Sequence, residues 1–173
     1  MNHKTWPVAK DAFPFAIPLA ALTVAFYVLF SHFLWVLPCA LTLFVLYFFR
    51  NPKREGKGGE KEFLSPADGK VMSVTEIPDE AEFIGGPAVK VSIFLNIFNV
   101  HINRSPVDGT VGHVRYREGK FIPAFKSHAS DINERNYLGI VTGQDQQRLL
   151  LVQIVGLVAR RIVCWSEAGD LLE

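Results

Sequence analysis

Twelve residues, "FNVHINRSPVDG" from Phe98 to Gly109, hold a histidine, two asparagines, an arginine and an aspartate shortly behind the apolar run "VKVSIFL". His101 is the member of this set that exchanges a proton at neutral pH, and an aspartate set against its far nitrogen would raise its basicity. Asn99 and Asn103 flank it and are spaced to fix its tautomer and orientation. A group of this kind takes a proton from a reacting atom or returns one to it. The competing reading is a histidine that only satisfies hydrogen bonds inside a β domain. His113 and His128 make no ligand spacing with it, so the pattern points to no metal.

The same motif recurs as a turn. "SPADGKV" (Ser65 to Val71) and "SPVDGTV" (Ser105 to Val111) both read Ser-Pro-x-Asp-Gly-x-Val. Proline presets the turn, aspartate bonds its own backbone and glycine supplies positive φ, so each is explained as the turn that starts a strand. That explanation suffices for Asp108. For Asp68 the local sequence leaves the structural and the chemical reading open.

These residues need elements to hold them. Short segments rich in Val, Ile and Phe predict strands at "GKVMSVTEI", "AVKVSIFLN", "GTVGHVRYRE", "YLGIVTG" and "RLLLVQIVGLVARRIVCW", separated by Gly, Pro and Asp signals. A turn of helix fits "KSHASDINER" and no other helical period appears between them. The soluble part is therefore mainly β, a barrel or a sandwich. In the last run the alternation breaks at "ARR", which predicts a bend or bulge with Arg160 and Arg161 on opposite faces. An arginine turned inward there would need a partner or an anionic ligand.

The amino-terminal part is different. From Ala12 to Phe49 there is no Asp, Glu, Lys or Arg, and as one helix this stretch would be roughly 57 Å long, nearly twice a roughly 30 Å hydrocarbon core. Divided at Ser31 and His32 it becomes a helical hairpin, about 12–30 and 33–49, transmembrane or re-entrant, with Pro14, Pro18 and Pro38 available to bend it. Lys4 and Lys10 before it, and Arg50, Lys53, Arg54, Lys57 and Lys61 after it, place both ends in the cytoplasm by the positive-inside tendency. The basic cluster reads as contact with anionic lipid or as the flank of any membrane anchor. The organisation is thus an anchor over 1–50, a charged linker over 51–62 and a β-rich domain over 63–173. Cys39 and Cys164 fall in distant segments and read as reduced thiols. A net charge of +1 without a basic stripe gives no case for nucleic acid.

In order along the chain, "FFRNPKR", "SPADGKV", "IFLNIFNVHINRSPVDGTV", "NERN" (Asn133 to Asn136) and "GLVARRIVCW" followed by Gly169-Asp170 resemble phosphatidylserine decarboxylase, in its short, membrane-associated form. The resemblance spans about two thirds of the chain. It implies a proenzyme that cuts itself at a Gly-Ser bond near its C-terminus and converts that serine into a pyruvoyl group on a new α chain. The pyruvoyl carbonyl then forms a Schiff base with the headgroup amine of phosphatidylserine and acts as electron sink while carbon dioxide leaves, giving phosphatidylethanolamine.

By position, the resemblance makes Asp68 and His101 a charge-relay pair. Some members carry a second histidine three residues after the first, where this chain has Arg104; whether His101 serves self-cleavage, decarboxylation or both stays open. Arg104 suits a substrate carboxylate or phosphate, and Asn103 and Glu134 belong with it as substrate-binding candidates. The 173 residues contain no Gly-Ser dipeptide. The expectation is therefore the greater part of a β chain, C-terminally incomplete and inactive alone, whose partners are phosphatidylserine, anionic membrane lipid and its own α chain. A homo-oligomer is left open. The place is the cell membrane with the catalytic domain on the cytoplasmic side. Two rival readings remain: a non-catalytic, membrane-anchored module that binds lipid or a partner, and a decarboxylase of another serine-headgroup lipid such as archaetidylserine.

Overall fold

Apolar side chains on every face make a helix that no single contact stripe can bury, and the amino-terminal segment forms two such helices. In the computed structural model, which describes residues 6–30, 33–54, 56, 62–126, 129–143 and 145–172, a 3-10 turn at Lys10–Ala12 leads into α1, Phe13–Leu29. A second 3-10 turn at Phe33–Trp35 leads into α2, Val36–Phe48. Pro14 sits at the start of α1, where its missing N–H costs nothing, and Pro18 lies within the helix. The hydroxyls of Thr23 and Thr42 donate to the carbonyls of Leu19 and Pro38, both at 2.8 Å, so both threonine hydroxyls are satisfied within their own helices.

The two helices form a hairpin. Tyr27 meets Trp35 edge-on at one end, and Phe15 stacks on Phe49 at the other. There the strand-like bridge Val8↔Arg50 closes the base, with the Ala9 N–H donating to the Phe49 carbonyl at 2.9 Å and the Asn51 N–H to the Pro7 carbonyl at 2.7 Å. The expected break at Ser31 and His32 lies outside the described residues. Phe15, Ile17, Val24, Tyr27, Val28 and Leu29 are exposed, a surface that water does not favour.

The chain folds as two compact units: Met1–Lys57 with Ala67–Gly69 and Leu95–Asn103, and Gly58–Pro66 with Lys70–Phe94 and Arg104–Glu173. The first unit holds the helical hairpin and the two short segments that carry Asp68 and His101. The second is mainly β. Strands β1 (Lys70–Glu80) and β2 (Gly86–Phe94) pair antiparallel as a ribbon. Strands β3 (Gly109–Arg117), β4 (Arg135–Thr142), β5 (Arg148–Ile154) and β6 (Leu171–Leu172) form an antiparallel sheet in the order β5-β4-β3-β6. This sheet curls as half a barrel, so the expected barrel or sandwich is present among the described residues as an open sheet and a ribbon.

Ala129, Val111, Leu138, Ile140 and Val155 are buried in the second unit. The loop between β1 and β2 is tied down by Glu80, whose carboxylate accepts the N–H groups of Glu82, Phe83 and Ile84 at 2.9–3.0 Å. Burial acts to raise the Glu80 carboxyl, but those three bonds outweigh it and hold it below its usual range. The loop delivers Phe83 onto Gly139 of β4, where a Cβ would stand 2.7 Å from the ring. Only a glycine accepts a ring that close.

One strand prediction is corrected. The run from Arg148 to Trp165 is a strand only to Ile154; the Val155 N–H then donates to the Glu134 carbonyl at 3.0 Å, the Gly156 N–H to the Ala159 carbonyl at 2.9 Å, and the chain leaves the sheet. Arg160 and Arg161 are both exposed, neither inward. The Arg160 Nε donates to the Leu157 carbonyl at 3.0 Å while its guanidinium lies over Phe121. Leu157, Val158, Val163 and Trp165 are exposed in this irregular stretch, whose apolar content imitates a strand. The predicted turn of helix is α3, Ala129–Ile132; Ser127 and His128 lie outside the described residues.

Candidate active site around His101

The loop after β2 is built by asparagines. The Asn96 side-chain carbonyl accepts the Phe98 N–H at 2.8 Å, the Asn99 side chain accepts the Asn96 N–H at 2.8 Å, and the Asn99 N–H returns to the Asn96 carbonyl at 3.0 Å. Asparagine is suited to such turns because its side chain bonds nearby backbone. The loop then buries Val100, 1% exposed, and presents His101 half-buried directly after it.

His101 Nδ1 lies 3.1 Å from the Asn99 carbonyl oxygen. A carbonyl only accepts, so the proton sits on Nδ1 and Nε2 keeps its lone pair. Burial lowers the His101 pKa from its ordinary 6.5, and the positive charge of Arg50 adds to this against the opposing bond to Asn99. The lowered pKa favours the neutral imidazole, with Nε2 as the nitrogen that can accept a proton. Its ring stacks on Phe48, the last residue of α2, with centroids 4.2 Å apart and planes 26° apart.

Asp68 stands in the same unit. Its carboxylate is held by Arg54, whose Nη2 donates to Oδ2 and whose Nε lies 3.4 Å from Oδ1. That bond, with the carboxylate's charge, holds the Arg54 guanidinium above its ordinary pKa. Asp68 and His101 thus have different partners in this structure: Arg54 for the carboxylate, Asn99 and Phe48 for the imidazole. Asn103 closes the loop as the last residue of the first unit.

Arg104 and Glu134 belong to the second unit. The Arg104 N–H donates to the Pro66 carbonyl at 3.0 Å, and the Leu64 N–H to the Pro106 carbonyl at 2.9 Å, so the two Ser-Pro turns found in the sequence lie side by side as a pair. Asp108 is exposed at the turn into β3, as its structural reading has it. Glu134 is half-buried, and its carboxylate accepts the Tyr116 hydroxyl, which pushes that phenol up to about 12 with burial and the nearby acid charges adding to the effect. Its neighbour Asn133 is fully buried. The Asn133 side-chain NH2 donates to the carbonyls of Ile122 and Val155 at 2.8 and 2.9 Å, and its oxygen accepts the Ile122 N–H at 3.0 Å. Within "NERN", Asn133 is thus a structural stitch between three segments. No group of three metal-ligating side chains occurs among the described residues.

Sequence reasoning missed Tyr47, Phe48 and Arg50 as neighbours of the histidine. They read as the tail and flank of an anchor, and only the quoted run "FFRNPKR" hinted at more. Arg50 Nη2 donates to the Phe98 carbonyl at 2.7 Å, the Tyr47 hydroxyl donates to the same oxygen at 3.2 Å, and the Arg50 guanidinium lies 3.9 Å from the Tyr47 ring centroid.

Comparison with known proteins bears on this arrangement. The sequence profile described as phosphatidylserine decarboxylase matches residues 41–173. The phosphatidylserine decarboxylase proenzyme of Carboxydothermus hydrogenoformans is 52% identical over 164 residues, covering 95% of this chain and 75% of the relative. Its counterpart in Symbiobacterium thermophilum is 46% identical over 167 residues, 96% of this chain and 76% of the relative, and that of Syntrophus aciditrophicus 42% over 174 residues, 100% and 80%. With a profile match over residues 41–173 and relatives of this identity covering nearly all of it, the chain belongs to the phosphatidylserine decarboxylase family.

Proposed function

We propose that this chain supplies the proton-handling and membrane-anchoring part of an enzyme that converts phosphatidylserine to phosphatidylethanolamine and carbon dioxide. The observation that carries this reading is the half-buried imidazole of His101, with Nδ1 on the Asn99 carbonyl and Nε2 without a hydrogen bond among the described residues, in the same compact unit as two apolar helices. Loss of the headgroup carboxylate breaks a carbon–carbon bond and leaves an electron pair on the α carbon, which must then be protonated. A pyruvoyl carbonyl supplies the electron sink for that step when it is present. The residues here fit such a group: forming it needs a base for a serine hydroxyl, which a neutral imidazole supplies at Nε2, and using it needs a proton returned to carbon, which the same nitrogen can deliver once it has taken one from water.

His101 is the base and the proton carrier in this reading. Asp68 belongs to this reading by its place in the sequence, with Arg54 holding its carboxylate in this structure. Arg104 is suited by its planar fork to the substrate's carboxylate or phosphate, and Asn103 and Glu134 are substrate-binding candidates by sequence position. The pyruvoyl group would derive from a serine of the same proenzyme, in keeping with the proenzyme name of the relatives; the 173 residues contain no Gly-Ser dipeptide.

The apolar helices support a reaction held at the bilayer. Lys10–Leu29 is long and apolar enough to cross a membrane, about 30 Å at 1.5 Å per residue, whereas Phe33–Phe48 is about 24 Å and falls short of the core. A hairpin that enters deeply and returns, with both ends on the cytoplasmic face and Arg50, Lys53 and Arg54 at anionic headgroups, fits these lengths. His101 stacks on the last residue of α2, and in such a hairpin the imidazole would lie at headgroup depth.

The test is release of carbon dioxide from carboxyl-labelled phosphatidylserine vesicles by the complete gene product. Turnover that borohydride abolishes supports the reading. Vesicle binding without any turnover favours a non-catalytic lipid-binding module, and turnover confined to archaetidylserine changes the lipid but keeps the chemistry.

A further inference from the structure

We propose that the end of the anchor helix α2 is part of the proton-handling site, with Phe48 and Arg50 as positioning residues that hold the His101 ring and its loop in one orientation. The inference rests on the functional reading of His101 given above, but its geometry stands apart from it.

Three contacts converge on the 96–101 loop from a single helix end. Phe48 lies against the imidazole at 4.2 Å between centroids, nearly face to face. Arg50 and Tyr47 both donate to the Phe98 carbonyl, three residues before the histidine. Arg50 also donates from Nη1 to the Tyr47 carbonyl at 2.8 Å, which ties the guanidinium to the last turn of α2. An arginine after a helix is commonly there to satisfy terminal carbonyls and the negative end of the dipole. That role explains the bond to Tyr47. It does not explain a second bond to a carbonyl in a distant loop, nor an aromatic ring laid over the imidazole.

The consequence is mechanical and electrostatic. With Nδ1 on the Asn99 carbonyl and one ring face on Phe48, the imidazole is held against rotation, and Nε2 points in a fixed direction. Among the described residues of the first unit, the helix end sets Arg50 and Tyr47 on the Phe98 carbonyl of the histidine's own loop, while Arg54 pairs with Asp68. Arg50 is the group that acts on the imidazole's charge, and it favours the neutral ring. Seating of the anchor in the bilayer and orientation of the base are thereby one event. A chain whose helix end is displaced loses its base.

The experiment is an NMR titration of the His101 imidazole in this chain, reconstituted in nanodiscs of phosphatidylcholine and phosphatidylglycerol, with His101→Gln identifying its resonance. The parent His101 titrates below 6.5. In Phe48→Leu the midpoint returns toward 6.5 and the ring signal broadens from new motion, while Phe48→Tyr, which keeps the aromatic face, titrates as the parent does. Arg50→Gln raises the midpoint by removing the positive charge. Should Phe48→Leu disturb the β3–β4 amide spectrum of the second unit, Arg50→Gln and Phe48→Tyr decide. Unchanged titration in both Phe48→Leu and Arg50→Gln, or a Phe48→Tyr variant that behaves like Phe48→Leu, overturns the proposal. No turnover is involved in this measurement. A chain that shows these shifts but belongs to an inactive protein keeps the inference and removes only the decarboxylase reading.

Discussion

At the scale of single residues, the neutral state of His101 decides the chemistry, and its pH dependence has a definite sign. The folded pKa lies below the ordinary 6.5, so between the two values the unfolded chain binds more protons than the folded one. The contribution of this group to stability is therefore complete above 6.5 and declines as pH falls through that value. The acidic limb of turnover in the complete enzyme is expected at the folded pKa, below 6.5, and a limb above 6.5 in a rate–pH profile contradicts the assignment. His101→Ala should lower carbon dioxide release by about 10²- to 10⁴-fold, the usual worth of a positioned acid–base group, with vesicle binding intact. Glu134 offers a second check. Its bond from Tyr116 makes that phenol ionise near 12, visible as a late step in an ultraviolet titration, and Glu134→Gln should bring the step down toward 10. If the step does not move, Glu134 is not committed to Tyr116.

At the scale of elements, the second unit depends on glycine and asparagine at places where other residues do not fit. Gly139→Ala drives a methyl into the Phe83 ring, which lies 2.7 Å from the new Cβ position, and should cost about 1–3 kcal/mol, read as a lowered Tm. Gly119 serves in the same way where its strand end lies on the backbone of Asn133 and Glu134, a Cβ there standing 2.4 Å from the Glu134 nitrogen. The predicted strands Gly69–Ile77 and Ala88–Asn96 correspond to β1 and β2 with ends shifted by a few residues, because alternation marks a strand while its termination depends on what the neighbouring loop bonds to. The last apolar run failed as a strand for the same reason: the chain turns at Gly156, whose N–H donates to the Ala159 carbonyl, and leaves Leu157, Val158, Val163 and Trp165 exposed outside the sheet.

At the scale of the whole molecule, the hairpin should make the chain a bilayer protein. It is expected to float with vesicles through a sucrose gradient and to stay there in high salt, since apolar burial and not surface charge holds it. Val24→Lys, in the exposed middle of α1, should weaken insertion by about 2.5–3.5 kcal/mol and shift the chain toward the soluble fraction; an unaltered flotation profile removes the membrane reading. How much was legible in advance follows a physical boundary. The apolar stretch, its division into two helices, the mainly β character of the rest, the Ser-Pro turns and the family were all readable from the order of residues, because hydrophobic period, turn chemistry and motif are local properties of a chain. The pairing of Asp68 with Arg54, the commitment of Glu134 to Tyr116 and of Asn133 to the carbonyls of Ile122 and Val155, and the stacking of Phe48 on His101 were not. Each joins residues separated by 11 to 53 positions, and no local pattern encodes which of many polar or aromatic groups will meet once the helices and strands are packed.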